Sequence, residues 1–298
     1  MINNLKSNTF FSSGKIILSG EHSVVYGEPA LISAINLGIE ASVEVKARKD
    51  QRSPKTEYLE HIFKIFKDKY INESLSTDDL EIKIISNLPR KSGLGSSAAY
   101  AHAVFLCLLD HFNFNPSDEE IFNLVWQAER FIHGNSSGAD PSAVVFGGVQ
   151  IFRKGNRKML KSFSKMDFIL VNSGKPEENT GEMVSLVKAE VESSEFFAKT
   201  IKEIGQVTLE MINSIENKNF DQKLLTQNER LLEKLGVVGT KAKKIVKEIE
   251  NHGGFAKITG AGGVKDGSGW LLAYHPDKNG LDSFLSKKAI ESYKIEIK

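Results

Sequence analysis

A glycine-rich loop that leads directly into a helix constrains this chain more than any other feature of its sequence. The loop is Gly93-Leu94-Gly95-Ser96-Ser97, and apolar residues then repeat at helical spacing from Ala101 to Phe112. We therefore predict a helix that begins at Ser96 or Ser97, where backbone N–H groups and the positive end of the helix dipole can hold phosphate oxygens. The alternative is a serine N-cap after a flexible turn. A Walker A loop is excluded, because Gly-Lys-Ser/Thr does not occur.

The periodicity of the rest of the chain indicates an α+β fold, in which strands and helices are mixed throughout. The 298 residues suggest about two domains. We place the boundary in a polar, basic stretch, which gives an N-terminal lobe of residues 1–160 and a C-terminal lobe of residues 161–298. Strands are predicted at Lys15–Leu18, Ala30–Ile35, Gly38–Lys46, Leu80–Ile85, Gly147–Phe152, Phe168–Val171, Phe255–Ile258, Trp270–Tyr274 and Lys294–Ile297. Helices are predicted at Glu57–Tyr70, Asp118–Ile132, 180–204, 205–217, 222–234, 239–252 and 280–288, and Arg48–Thr56 is predicted to be a loop.

Charge and cysteine content exclude several classes of protein. The chain has 39 Lys and Arg against 38 Asp and Glu, so its net charge of +1 gives no bulk electrostatic reason to bind nucleic acid or an anionic membrane. Its single cysteine, Cys107, excludes an intramolecular disulfide and a cysteine-cluster metal site. We find no apolar run typical of a signal peptide or a membrane span. The expectation is a cytoplasmic protein with neither nucleic acid nor membrane as a partner.

Two acidic residues stand on either side of a second glycine-containing loop. Glu129 belongs to a predicted helix, and Asp140 follows it after glycines, Asn135 and serines. One acid could hold a metal while the other approaches a substrate hydroxyl. The alternative is a surface glutamate and a turn-forming aspartate before Pro141.

Lys15 begins an apolar strand, which is an unusual place for a charge. It is either an edge residue whose stem lies along apolar surface or a cation placed for an anionic substrate. Glu21 and His22 follow this strand, and a histidine in such a position is more often structural than catalytic.

A third glycine-rich segment occupies residues 256–270. Its five glycines, Gly260, Gly262, Gly263, Gly267 and Gly269, exceed the one or two that a hairpin turn needs. They indicate that the backbone closely approaches another group. The phosphates of a nucleotide are the sharper explanation, and a flexible loop is the alternative.

The order of these motifs resembles that of the GHMP kinase superfamily. GKIILSGEHSVVYG, PRKSGLGSSAA and KITGAGG correspond to its three signature motifs, and ERFIHGNSSGAD resembles the mevalonate kinases within it. The resemblance runs through almost the whole chain. It implies a ribosomal-protein-S5-like N-terminal lobe, a ferredoxin-like C-terminal lobe and a nucleotide in the cleft between them. The implied activity is ATP-dependent phosphorylation of the 5-hydroxyl of mevalonate, a step of isoprenoid precursor synthesis.

The resemblance also implies roles for individual residues, with ATP and Mg²⁺ as cofactors. Asp140 and Lys15 would be catalytic, with Asp140 against the substrate hydroxyl and Lys15 against both Asp140 and the γ-phosphate. Ser97 and Glu129 would bind Mg²⁺. The implied ATP-binding residues are Lys91, Ser92, Gly93, Leu94, Gly95, Ser96, Ser97, Gly260, Ala261, Gly262 and Gly263. The implied substrate-binding residues are Lys15, Glu21, His22, Tyr100, Ser137, Asp140 and Thr180.

The chain departs from the family pattern at two motifs. Ser12-Ser13 replaces the usual Ala-Pro before Gly14-Lys15, and the third motif continues with Val264 and extra residues where further glycines are usual. The departure at the third motif bears on the phosphate-side loop and on nucleotide affinity. Members of the family often form dimers, so a homodimer is the assembly expected here.

Alternative activities remain open within the same superfamily. A phosphomevalonate kinase would need further cations, such as those at residues 153–158. Homoserine kinases usually lack the aspartate–lysine pair, and the galactokinase sugar signature does not occur here. A catalytically silent binding protein would lack the metal ligand or the acid, whereas Ser97, Glu129 and Asp140 are all present.

Overall fold

The computed structural model describes residues 8–45, 56–71, 79–89, 93–134, 136–160, 163 and 165–297. Helices are mixed with two antiparallel sheets, which confirms the predicted α+β class. The strands are β1 (Thr9–Ser19), β2 (Ala30–Val45), β3 (Leu80–Ser86), β4 (Val149–Arg153), β5 (Asn156–Met159), β6 (Met166–Asn172), β7 (Phe255–Ile258), β8 (Trp270–Tyr274) and β9 (Ser292–Ile297). The helices are α1 (Glu57–Tyr70), α2 (Ser96–His111), α3 (Asp118–His133), α4 (Ala139–Phe146), α5 (Thr180–Ser193), α6 (Glu195–Glu216), α7 (Lys223–Lys234), α8 (Thr240–Asn251) and α9 (Lys278–Lys287), with a 3-10 helix at Ser23–Tyr26.

Two predictions about strands are corrected. The two strands predicted on either side of Leu37 form the single strand β2, because Gly38 does not turn the chain. A side chain at Gly38 would instead collide with the Ser12 carbonyl, so glycine is needed there for space. The polar stretch after β4 contains the additional strand β5, since Lys154 and Gly155 both have a positive φ and form a tight hairpin turn.

Two predictions about helices are also corrected. The turn considered as the alternative at Asp140-Pro141 is the first turn of α4, where a proline loses no hydrogen bond because the first N–H groups of a helix have no intrahelical partner. The break predicted between residues 204 and 205 lies at Ser194, whose extended backbone ends α5 and starts α6. The predicted loop Arg48–Thr56 lies outside the described residues except for Thr56, whose side chain caps α1 by accepting from Leu59 N at 3.2 Å.

The described residues divide into two compact units, each built from three separate stretches of the chain. The first unit holds the described parts of 1–14, 37–90 and 95–147. Here α2 contacts α1, α3 and α4, and the second half of β2 pairs with β3. Cys107 lies on α2 with 2% of its surface exposed, so it belongs to the core of this unit.

The second unit holds the described parts of 15–36, 91–94 and 148–298. Its four-stranded sheet has the order β7-β8-β6-β9, and its central strands β6 and β8 pair through Val171 and Leu271, which are fully buried. Helix α7 packs against β7, which places the end of that strand in the core. The lobe boundary after residue 160 remains a prediction. No helix of the described residues combines the length and the apolar character that crossing a membrane requires.

Candidate active site

The first glycine loop enters α2 in a conformation that leaves the helix N-terminus without a side-chain cap. Gly93 and Gly95 both have a left-handed backbone, with φ of +70° and +71°. Gly95 is the N-cap residue, and Ser96 and Ser97 are the first two helical residues, so the alternative of a serine N-cap is not what the backbone adopts. Gly95 has no side chain that could accept from the first N–H groups of α2, and such a helix end suits an anion. Lys91 and Ser92, predicted to continue this loop, lie outside the described residues.

The two residues predicted to bind Mg²⁺ are held by one tyrosine. The Tyr58 hydroxyl on α1 lies 3.3 Å from Glu129 Oε1 and 3.2 Å from the carbonyl oxygen of Ser97. Glu129 is 1% exposed, and Ser97 is half-buried. Burial, together with the Glu129 carboxylate, raises the pKa of Tyr58, so its hydroxyl stays protonated and donates. The structure thus brings both predicted metal ligands to the same hydroxyl.

Asp140 is half-buried in the first turn of α4. Gly138 precedes this helix with a left-handed backbone, and the exposed Ser137 accepts a hydrogen bond from Ala139 N at 3.3 Å. Tyr100, on α2, is half-buried, and its ring centroid lies 5.7 Å from that of Tyr58.

Lys15 lies in β1 and is 5% exposed, so its charge is taken out of bulk water. Its backbone N–H donates to the Leu94 carbonyl oxygen at 2.9 Å, which joins this strand to the first glycine loop. Glu21, 2% exposed, pairs with the fully buried Lys257 of β7. Burial raises the pKa of Glu21, and the charges of Lys257 and Lys15 both oppose that rise.

His22 joins the turn after β1 to the third glycine motif. Its ring donates from Nε2 to the Ala261 carbonyl oxygen at 2.9 Å, and its backbone has the unusual φ of +59°. Burial lowers the pKa of His22, so the ring is neutral near pH 7. This contact makes the histidine a structural link of the second unit.

The third glycine motif is packed against backbone on one side and open on the other. A Cβ at Gly262 would overlap the Val237 carbonyl oxygen, whereas a Cβ at Gly260 would meet no atom within 4 Å. Gly267 is equally crowded, against the backbone of Gly174. The extra residues of this motif therefore fold back onto the second unit, while Gly260 leaves room for a ligand. Thr180, predicted to contact the substrate, is exposed as the first residue of α5.

Three further residues belong to these sites and escaped the sequence analysis. Tyr58 follows the spacing of the buried face of α1, which is the signal that could have identified it. Lys257 is the lone charge in the apolar strand β7 and the first residue of the third motif, KITGAGG. Glu229 is fully buried on α7 and accepts a hydrogen bond from Ile258 N at 2.9 Å. The residues around Glu229 in the sequence do not indicate this contact.

Comparison with known proteins gives concordant matches. Residues 57–148 match the family model for the GHMP kinases N terminal domain. A mevalonate kinase of Archaeoglobus fulgidus is 34% identical over 289 residues, which cover 95% of this chain and 98% of that protein. A mevalonate kinase of Methanocaldococcus jannaschii is 33% identical, with 84% of this chain and 87% of that protein covered.

Solved structures agree with these matches. The Methanococcus jannaschii mevalonate kinase superposes with a TM-score of 0.85 at 25% identity, covering 99% of both chains. The L. major mevalonate kinase, solved in complex with R-mevalonate, has a TM-score of 0.82 at 21% identity and covers 98% of this chain and 96% of that one. The predicted GHMP kinase fold is therefore confirmed.

Proposed function

Since the chain belongs to the mevalonate kinase family of the GHMP kinases, we infer that it transfers the γ-phosphoryl group of ATP to the 5-hydroxyl of mevalonate. The observation that carries this inference is the 34% identity to a mevalonate kinase over 95% of the chain. The similarity to mevalonate kinases supports an ATP-dependent kinase that acts on a small-molecule substrate. The roles of individual residues, the metal, the lobe boundary after residue 160, a homodimer and a cytoplasmic location are proposals beyond it.

Asp140 and Lys15 are the proposed catalytic residues. Asp140, in the first turn of α4, accepts the proton of the mevalonate hydroxyl. Lys15 places a positive charge against the γ-phosphate, because phosphoryl transfer depends mainly on positioning and on neutralising charge. Its burial supports this role, since a charge with little access to water acts more strongly on its neighbours.

The proposed ATP site uses backbone N–H groups as donors to phosphate. Residues 93–97 are supported by the uncapped N-terminus of α2, and residues 260–263 by the open space beside Gly260. Lys91 and Ser92 complete the first loop in this proposal. Such a site needs few basic side chains, which is compatible with a net charge of only +1.

Ser97 and Glu129 fit Mg²⁺, because a hydroxyl and a carboxylate are hard oxygen ligands. No cluster of three or more His, Cys, Asp or Glu side chains suited to a metal occurs among the described residues, so an all-protein cage is not formed there. Mg²⁺ is commonly held by one or two side chains together with phosphate oxygens and water, and Ser97 with Glu129 would provide such a set. When bound, it would neutralise phosphate charge, while Tyr58 holds the Glu129 carboxylate in place.

The residues proposed to contact mevalonate fall into two groups by exposure. Tyr100, Ser137 and Thr180 have accessible surface and can touch a substrate directly. Glu21 and His22 are buried and are held by Lys257 and Ala261, so we propose that they shape the substrate site from beneath it.

The test is a coupled ADP-release assay with mevalonate, phosphomevalonate, homoserine and galactose as separate acceptors. We expect turnover with mevalonate above all others, whereas turnover with phosphomevalonate alone would assign the chain to that kinase. No turnover with any acceptor would favour a silent binding protein.

Matched variants then test the proposed base. Asp140→Asn should lower kcat by about 10²–10⁴-fold while ATP still binds. Asp118→Asn removes an acid from the first turn of α3 and serves as the control, because it changes the same helix-end charge away from the proposed site. Near-normal turnover of Asp140→Asn would refute the role of Asp140.

A further inference from the structure

The fully buried Lys257 uses all three donors of its ammonium group within the second unit. They reach the Glu21 carboxylate, the Ile258 carbonyl oxygen at 2.6 Å and the Ile17 carbonyl oxygen at 3.4 Å. A buried ammonium is tolerated only when it is paired and hydrogen-bonded in this way. Lys257 is therefore a built-in feature of the region where the first and third motifs meet.

The partners of Lys257 outnumber it in charge. Glu21 pairs with its ammonium, and the charge of Lys257 also acts on Glu229. Each carboxylate has one buried oxygen without a hydrogen-bond partner, Glu21 Oε2 and Glu229 Oε1. The charge of Lys15 also acts on the Glu21 carboxylate. The other charges that act on Glu229 are those of Arg230 and Glu233, which lie on the same helix, α7. Two lysines thus act on Glu21, and Lys257 is the one that forms an ion pair with it.

The strand that carries Lys15 is fixed to β7 by further contacts. The Thr259 hydroxyl accepts from Ile17 N at 2.9 Å and donates to the Ile17 carbonyl oxygen at 3.1 Å. Ile17 lies two residues after Lys15, and its carbonyl oxygen is the same one that Lys257 reaches. The backbone two residues after Lys15 is therefore held by Lys257 and Thr259, the first and third residues of the third glycine motif.

We propose that Lys257 is a positioning residue, which neutralises the Glu21 carboxylate and so keeps the Lys15 ammonium directed at the γ-phosphate. The proposal rests on the proposed kinase function and on the role of Lys15 in it. Without Lys257, the buried carboxylate of Glu21 has only Lys15 to compensate its charge, and it draws that ammonium away. A buried charge that loses its partner is strongly destabilising, which gives Glu21 a reason to draw the Lys15 ammonium towards itself.

Three variants and two double variants test the proposal. Lys257→Met removes the charge, Glu21→Gln removes the carboxylate, and Glu229→Gln removes the other carboxylate that faces Lys257. We expect Lys257→Met to lower kcat about 10–100-fold per folded enzyme, since a small misplacement of a catalytic group has that effect. Adding Glu21→Gln should restore kcat to roughly that of Glu21→Gln alone, whereas adding Glu229→Gln should not.

The pH profile separates positioning from a loss of stability. The charged groups that face Glu21 are Lys257 from β7 and Lys15 from β1, and those that face Glu229 are Lys257, Arg230 and Glu233. In Lys257→Met, kcat should fall as pH rises, because Glu21 becomes charged and attracts Lys15. That limb should vanish in Lys257→Met/Glu21→Gln and persist in Lys257→Met/Glu229→Gln.

Folded enzyme is counted by circular dichroism and by binding of a fluorescent ATP analogue. If Lys257→Met does not fold, the comparison of Lys257→Met/Glu21→Gln with Glu21→Gln still decides, because both lack the uncompensated carboxylate. A double variant with kcat far below that of Glu21→Gln overturns the proposal, as does equal rescue by Glu229→Gln. Wild-type enzyme without turnover on mevalonate would refute the proposed function instead, so the two failures are distinguishable.

Discussion

Gly262 offers the sharpest test of how the third glycine motif is built. Its φ is +76°, and a Cβ there would overlap the Val237 carbonyl oxygen and lie 2.8 Å from Ile258 Cδ1. Gly236 has nearly the same φ, +75°, but a Cβ there would meet nothing within 4 Å. Alanine at either position therefore carries the same backbone strain, and only Gly262→Ala adds the steric overlap.

The magnitude follows from these two terms. A left-handed backbone costs an alanine about 1–2 kcal/mol, and both variants bear that cost. Overpacking adds about 1–3 kcal/mol, which only Gly262→Ala bears, because a backbone carbonyl cannot swing away as a side chain can. At about 2–4 °C per kcal/mol, a difference of about 2 kcal/mol separates the two melting temperatures by roughly 4–8 °C.

Thermal unfolding followed by circular dichroism measures this difference directly. We expect the order wild type, Gly236→Ala and then Gly262→Ala, from the most to the least stable. Equal melting temperatures for the two alanine variants would show that the Val237 carbonyl oxygen does not pack tightly against Gly262.

Three further predictions concern single side chains. Burial raises the pKa of Glu229 to about 7, so the stabilisation that its protonated side chain contributes at low pH is lost as pH rises through that value. In urea unfolding, the free energy of unfolding of Glu229→Gln should rise by about 3 kcal/mol relative to that of wild type between pH 4.5 and pH 8. A difference that stays constant with pH would contradict this. Tyr58→Phe removes one hydrogen bond to Glu129, worth about 1 kcal/mol, and should raise the KM for Mg·ATP roughly fivefold in steady-state assays; an unchanged KM would show that this hydroxyl does not support the site. Burial raises the pKa of Cys107 to about 12, so a thiol reagent at pH 8 should label it only after unfolding.

The elements that sequence analysis predicted best are those whose signals are local. The bounds of α1, β7 and β8 agree with the prediction, because the apolar spacing of each is complete within the element itself. Helix α4 was missed because Pro141 has two meanings in sequence, a turn signal and a residue well suited to the first turn of a helix. Only the conformation of Gly138 decides between them, and a sequence does not display it.

The contacts within the site were less predictable, for a different physical reason. Glu21 and Lys257 are separated by 236 residues, and the local sequence around each does not indicate that the two residues form an ion pair. A lone lysine in an apolar strand indicates that an acid must be nearby, since an unpaired buried charge is too costly to keep. The sequence thus predicts that Lys257 has an acidic partner but does not identify which residue it is. In the structure this partner is Glu21, on whose carboxylate the charge of Lys15 also acts, and this is the arrangement by which we propose that the fully buried Lys257 affects phosphoryl transfer.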